Sequence, residues 1–435
     1  MKISTTKLFR FIVAVAFLEG CTTTYSTFSS WQGSKSDFSF ESIDLMPNYE
    51  NAYLIWIDQP LDHRHPDKGT FKQRVWLSHK SLDAPMVMIT EGYTAPQNYI
   101  SELATMLHAN QIVVEHRFFG ESVPEGMPWE YLTVEQSARD HEAVVKHFKS
   151  LYSGKWITTG ISKGGQMAFI HRALFPKSVD LTVTYVAPFN LEREDVRLFD
   201  FFKTVGTEET RKDILSFQKE VLKRRDDMLP YLRELATRKE WTFTMSLEEV
   251  LELAVLEYPF SLWQWCVPVE ETPASSTDSR ELFNQLYRGV DFSYFSEQES
   301  INVGPFFYQA YGELGYYGYL TGELKPFMTA FKKDTISSDL LIPTEVGEEI
   351  HFNSSTSRNI LKRFRRADPA TIHIVGSNDP WSATSPDVTG LKNSLKVINP
   401  GGCHLTRIKS LPDSLQNEVR EFIFEKTGIA DSEIN

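Results

Sequence analysis

Cysteine is scarce in this chain: Cys21, Cys266 and Cys403 are the only three in 435 residues, and no CxxC or Cys/His metal spacing can be built from them. No disulfide framework is expected, and a chain this long buries a large core without one. Basic residues are also short, with 45 Lys and Arg against 58 Asp and Glu, for a formal net charge of −13. Lacking a basic stripe, the chain is not a nucleic-acid binder. There is no internal repeat and, in the body of the chain, no low-complexity segment. With 41% hydrophobic and 24% charged residues the usage is that of a globular protein, which excludes a disordered or fibrous one.

What is present begins at the N-terminus. Lys2, Lys7 and Arg10 form a basic stretch ahead of an eight-residue apolar run, Phe11 to Leu18. Eight residues cannot span about 30 Å of hydrocarbon as a helix, so residues 1–21 read as a signal peptide rather than an anchor. The run ends in Leu18-Glu19-Gly20-Cys21, which is similar to the cleavage box of bacterial lipoproteins, whose cysteine is lipidated and becomes the mature N-terminus. Cys21 is the expected lipidation site, with an ordinary secretory signal cut nearby as the alternative. Acyl chains on Cys21 would hold the protein on a membrane. Residues 22–45 would then be a polar tether outside the fold. Either way the mature chain is expected outside the cytoplasm of a bacterium.

Residues 46–189 alternate strand and helix patterns. Phe71–His79, Ala84–Thr90 and Gln111–Glu115 read as strands, and Asn98–Ala109 and Leu132–Tyr152 as helices. From 190 to 335 charged helical patterns dominate, including a capping box at Ser246-Leu247-Glu248-Glu249. Aromatic residues follow in quantity. Strand signals return in 336–435, at Thr371–Val375 and Leu395–Ile398, before a closing helix at Ser414–Lys426. The pattern predicts an α/β-hydrolase fold, a mostly parallel sheet with helices on both faces and a helical cap inserted over its active edge.

Gly160-Ile161-Ser162-Lys163-Gly164 fits G-x-S-x-G, with a strand before it and a helix after it. That context is the nucleophile elbow, in which a sharp turn lifts the serine hydroxyl above the sheet. Serine needs a base, and the base needs an orienting carboxylate, in the chain order Ser, acid, His. Asp379 and His404 each follow a strand directly and are the expected acid and base. Asp368 and Asp387 compete for the first role, His351 and His373 for the second. Two backbone donors should receive the oxyanion, the N–H of Lys163 and, from the loop after Thr90, that of Tyr93. The Lys163 side chain reads as a solvated charge. His63-Arg64-His65 reads as a surface loop, because no third metal ligand accompanies the pair. Cys403 beside His404 reads as packing. No metal or cofactor is called for.

Gln59-Pro60-Leu61-Asp62-His63, Gly69-Thr70-Phe71-Lys72-Gln73-Arg74, the segment from Glu115 to Ser122, Tyr131–Gln136, GISKGG at 160–165, Tyr308–Tyr317, SNDPW and GGCHLTRI are familiar as a set. On these segments the chain resembles, from about 52 to 425, the bacterial secreted tripeptidyl aminopeptidases. That family of serine peptidases is a sibling of the lysosomal Pro-Xaa carboxypeptidase and dipeptidyl peptidase II group. The resemblance implies an exopeptidase that acts on peptide substrates, removing short and often proline-ending fragments from free N-termini. It places Ser162, Asp379 and His404 in the catalytic positions. An exopeptidase must meet the substrate ammonium with a carboxylate at a fixed distance from the nucleophile, for which Glu91 and Glu313 are candidates. Tyr316, Tyr317 and Trp381 would wall a proline ring. An esterase or lipase of the same fold, or an inactive surface-binding lipoprotein, are the other readings.

Overall fold

Short runs rich in Val, Ile, Met and Thr pack best on a pleated surface buried on both sides. In the computed structural model, which describes residues 38–268, 278–342 and 350–429, those runs become the centre of a sheet. The expected signal peptide, Cys21 and the tether up to residue 37 lie outside the described residues. The strands are β1 (Phe38–Ser42), β2 (Asn51–Pro60), β3 (Thr70–His79), β4 (Met86–Thr90), β5 (Asn110–Val114), β6 (Trp156–Ile161), β7 (Leu181–Tyr185), β8 (Gly318–Leu320), β9 (Thr335–Ser337), β10 (Thr371–Gly376) and β11 (Ser394–Asn399). Nine of them form one sheet in the order β1-β2-β3-β5-β4-β6-β7-β10-β11, while β8 and β9 pair separately. The β1–β2, β2–β3 and β3–β5 pairs are antiparallel, and every pair from β5 to β11 is parallel. This is the α/β-hydrolase arrangement expected from the sequence, with one strand added at its antiparallel edge.

That added strand corrects the tether. Residues 38–42 are not spacer but β1, in register with Tyr53–Ile57, and Phe38 is buried against Phe148 and His147. Phe38 and Phe40, two positions apart, carry the period-2 signal.

Helices α1 (Glu102–Met106), α2 (Val134–Lys149) and α3 (Lys163–Leu174) come from the first half of the sheet. The helix expected over 98–109 forms only one turn and a half, because Ser101 caps it late and the chain must turn into β5 at Asn110. Between β7 and β10 the chain builds a helical unit from α4 (Val196–Phe202), α5 (Glu208–Lys223), α6 (Arg225–Lys239), α7 (Leu247–Gln264), α8 (Ser279–Gly289) and α9 (Glu297–Gln309). The capping box at Ser246 and Glu249 opens α7 as the spacing predicts. Ile336 and Leu341 pack in the core of this unit with Tyr258 and Phe307, so it continues past residue 335. The chain then returns through α10 (Ser354–Ala367) and closes with α11 (Asp413–Thr427). Leu103 and Leu107 with Val419 and Ile423 cover one face of the sheet. Val144, Val145 and Phe148 of α2 cover the other face, where Met167 and Phe169 of α3 pack with Phe364 of α10.

The motif segments at 59–63, 115–122 and 131–136 converge below the sheet's edge on a buried ion pair. Arg117 Nε and Nη2 donate to Asp140 at 2.6 and 2.8 Å, and its remaining N–H groups reach the carbonyls of Leu61, Tyr131 and Pro60. His63 Nε2 meets the same Asp140 at 2.7 Å, so this histidine belongs to a buried network and not to a free surface loop. Arg64, paired to Glu135, and His65, paired to Asp62, are exposed and fit the surface reading.

Candidate active site

A strand running straight into a helix has room for its connecting residue only if neighbouring backbone comes very close. A methyl on Gly160 would lie 2.3 Å from the Gly164 carbonyl carbon, and one on Gly164 would lie 2.5 Å from the Thr90 oxygen. With glycine at both places the turn closes, and Ser162 sits between β6 and α3 at φ 55°, ψ −124°. Such a conformation is strained for a residue with a Cβ, and it is held by the Ser162 N–H to Tyr185 O bond at 2.9 Å. Ser162 is half-buried, at the carboxyl end of the parallel strands.

Two further loops leave the same edge, after β10 and β11. Asp379 is fully buried; its Oδ1 takes the Trp381 N–H at 3.2 Å and its Oδ2 faces His404 Nδ1 at 2.8 Å. The competing residues have other occupations. Asp368 takes the N–H groups of Lys392 and Asn393, and Asp387 that of Thr389. His373 is buried inside β10 against Thr184 and Phe169, with its pKa pushed down to about 3 by burial. His351 is exposed on the segment that leads into α10.

The loop carrying His404 is fastened to the helical unit, and here the cysteine reading is corrected. Cys403 is not a packed thiol but is disulfide-bonded to Cys266, across 137 residues of chain, with a Cα–Cα distance of 5.6 Å. Next to it the His404 N–H donates to Gln264 O at 3.0 Å, and the Trp265 ring meets the imidazole edge-on at 5.6 Å. Gln264, Trp265 and Cys266, at and just past the end of α7, therefore hold the His404 loop by a hydrogen bond, a ring contact and a disulfide to the preceding residue.

The loop after β4 lies against the elbow. A methyl on Gly92 would fall 2.6 Å from Lys163 Cβ and 2.7 Å from the Gly164 nitrogen, so only glycine permits the contact. The N–H of Lys163, first residue of α3, has no partner within its own helix. The Lys163 side chain is not a solvated charge. It is 2% exposed, and its Nζ donates to Gly92 O at 2.7 Å beside the rings of Phe119, Tyr93 and Phe306.

The two carboxylate candidates separate. Glu313 is taken up by the frame: it receives the Val134 N–H at 2.8 Å at the start of α2 and the Thr356 hydroxyl at 3.4 Å. An anion at a helix N-terminus is a stabilising cap, which leaves this carboxylate committed elsewhere. Glu91 is beside Gly92 and, among the described residues, takes one side-chain hydrogen bond, from the Tyr99 hydroxyl at 2.5 Å. Burial raises its pKa, with the nearby Glu115 adding to the effect. A desolvated carboxylate with one neutral partner gains from an incoming cation.

Trp381 packs with Tyr316, Tyr317 and Phe260 in one aromatic cluster directly after Asp379. A residue that the sequence pattern did not single out anchors it. Glu257 of α7, buried, accepts from the hydroxyls of Tyr317, Tyr319 and Ser261 at 2.8–2.9 Å, and burial pushes its pKa up to about 7. Its position in the stretch Glu249–Glu257 is visible in the sequence, but nothing there marks it as buried.

Comparison with known proteins decides the family. The sequence profile of the PS-10 peptidase S37 family matches residues 43–435. The chain belongs to that family. It is 30% identical over 406 residues to a prolyl tri/tetrapeptidyl aminopeptidase of Streptomyces mobaraensis, covering 89% of this chain and 83% of the relative. A lysosomal Pro-X carboxypeptidase of Pongo abelii is 23% identical over 330 residues, 64% of this chain and 66% of its own. Among solved structures, a proline iminopeptidase of Mycobacterium smegmatis aligns over 86% of this chain and 98% of its own at 12% identity, with a TM-score of 0.44. The S37 chain is a serine peptidase, as its segment-by-segment resemblance implies.

Proposed function

We propose that this S37 peptidase releases short peptides, two or three residues long and often ending in proline, from free N-termini, by acyl-enzyme catalysis at Ser162. The observation that carries the reading is the buried Asp379–His404 pair, which leaves the same sheet edge as the strained Ser162. His404 Nε2 takes the serine proton as Oγ attacks the scissile carbonyl, and Asp379 holds Nδ1–H and stabilises the imidazolium. The tetrahedral oxyanion is received by the N–H groups of Lys163 and Tyr93. His404 then protonates the departing amine, and water repeats the sequence in reverse to free the acyl fragment.

Glu91 receives the substrate ammonium, and the cluster of Trp381, Tyr316 and Tyr317 backs the residue at the scissile bond. The charge pairing makes the free N-terminus part of recognition, which an esterase has no need of. On the full chain, a fluorophosphonate probe is expected to label wild type and not Ser162→Ala. A free tripeptide anilide is expected to be cleaved at least about a hundredfold better than its N-acetyl form, the scale set by a buried charge pair of about 3 kcal/mol. Equal rates on the two substrates would remove the exopeptidase reading and favour the esterase one, and failure to label would favour an inactive binder.

The chain is placed outside the cytoplasm, anchored through a lipidated Cys21. Basic residues, the short apolar run and Leu18-Glu19-Gly20-Cys21 support this, and a disulfide beside the base fits an oxidising compartment. Cys21→Ser is expected to move the protein from the membrane pellet to the soluble fraction, and an unchanged distribution would sink the lipid anchor.

A further inference from the structure

A lysine that follows a nucleophile on the first turn of a helix can reach water easily, and a buried ammonium is costly unless something is gained. Lys163 nevertheless points inward. Its Nζ sits 4.4 Å from the ring centre of Phe119, 5.1 Å from Tyr93 and 5.7 Å from Phe306, and it bonds the carbonyl of Gly92. These partners come from three separate places, the loops after β5 and β4 and helix α9. A methionine would fill the same space without the desolvation cost.

The carbonyl it holds is the informative part. Gly92 C=O and Tyr93 N–H belong to one peptide unit, and no peptide bond among the described residues is cis, so the two groups point in opposite directions. Drawing the oxygen onto Nζ turns the N–H away from the aromatic box. That N–H donates to no protein acceptor among the described residues, while the following carbonyl of Tyr93 is fixed by the His116 N–H at 3.2 Å. Gly92 at the same time rests on Lys163 Cβ and the Gly164 nitrogen. The peptide is thus pinned at contact distance from the first backbone donors of α3.

We propose that the Lys163 side chain is a positioning residue for the oxyanion hole: by holding the Gly92 carbonyl it aims the Tyr93 N–H at the point where charge develops, next to the backbone N–H of Lys163 itself. This rests on the acyl-enzyme reading above. The hydrogen bond also polarises the peptide, which makes its N–H a better donor. Burial lowers the proton affinity of Lys163, and the three ring faces and the carbonyl oppose that. An amine donates to Gly92 O as an ammonium does, so the aiming survives in either form.

The test uses the full chain with Lys163→Met and Lys163→Arg, a free tripeptide anilide as substrate and the matching tripeptide aldehyde as inhibitor. In the aldehyde complex Ser162 Oγ bonds the aldehyde carbon, its proton passes to His404, and the former carbonyl oxygen takes the oxyanion position with no group departing. Lys163→Met is expected to lose about 10²–10³-fold in kcat, the effect of one oxyanion donor, with KM within about threefold. Aldehyde affinity should fall by a similar factor, and Lys163→Arg should recover at least about tenfold of the loss. Met retaining kcat, or losing kcat while the aldehyde binds as before, would overturn the proposal. Should neither variant fold, wild type labelled with ¹⁵N-tyrosine decides: the Tyr93 amide proton must move downfield on aldehyde binding, and an unmoved resonance overturns the assignment. A wild type that hydrolyses the anilide yet ignores both aldehyde and fluorophosphonate would instead overturn the acyl-enzyme reading.

Discussion

Asp379→Asn is expected to lower turnover of a free tripeptide anilide by about four decades with little change in KM. The carboxylate has two tasks in the structure. Its Oδ1 caps the turn at Trp381, and its Oδ2 takes the proton on His404 Nδ1 at 2.8 Å. Asparagine can keep the first task through its carbonyl oxygen, so the loop should survive. For the second it offers an NH₂ group, which turns the imidazole to the tautomer whose Nε2 carries the hydrogen and cannot accept one from serine. Steady-state kinetics together with an unchanged thermal transition would establish this. Activity within tenfold of wild type would move the acid to another residue.

Arg117→Met is the variant with the largest expected effect on stability, a loss of about 3–5 kcal/mol, read from the shift of the urea midpoint. Asp140 is buried with Arg117 and His63 as its charged or chargeable partners, and the guanidinium also satisfies three backbone carbonyls. Methionine matches the volume but leaves an anion without its main counter-charge and the carbonyls without donors. The double variant Arg117→Met with Asp140→Leu removes the stranded charge and should regain part of the loss, because the destabilisation lies mostly in the uncompensated anion. A single variant as stable as wild type would show that water reaches the pair.

Local signals were legible in the sequence wherever the physics is local. Strand cores such as Met86–Thr90, the capping box at Ser246 and the glycine-flanked turn at Ser162 depend on neighbours a few residues apart, and the pattern located them within a residue or two. What escaped depends on partners far along the chain. Cys266 and Cys403 are 137 residues apart, and no spacing rule links two cysteines over that distance. The burial of Lys163 follows from Phe119, Tyr93 and Phe306, of which only Tyr93 could be placed beforehand. Glu313 is a candidate substrate ligand by its sequence, and only the position of Val134 assigns it to the frame. His63 was hidden for the same reason, its partner Asp140 lying on α2.

The covalent stitch between the end of α7 and the residue before His404 has a consequence for how a substrate gets in. With that bond intact, the stretch after α7 and the loop carrying His404 cannot part, so any movement of the helical unit that admits a peptide must pivot about this point instead of opening it.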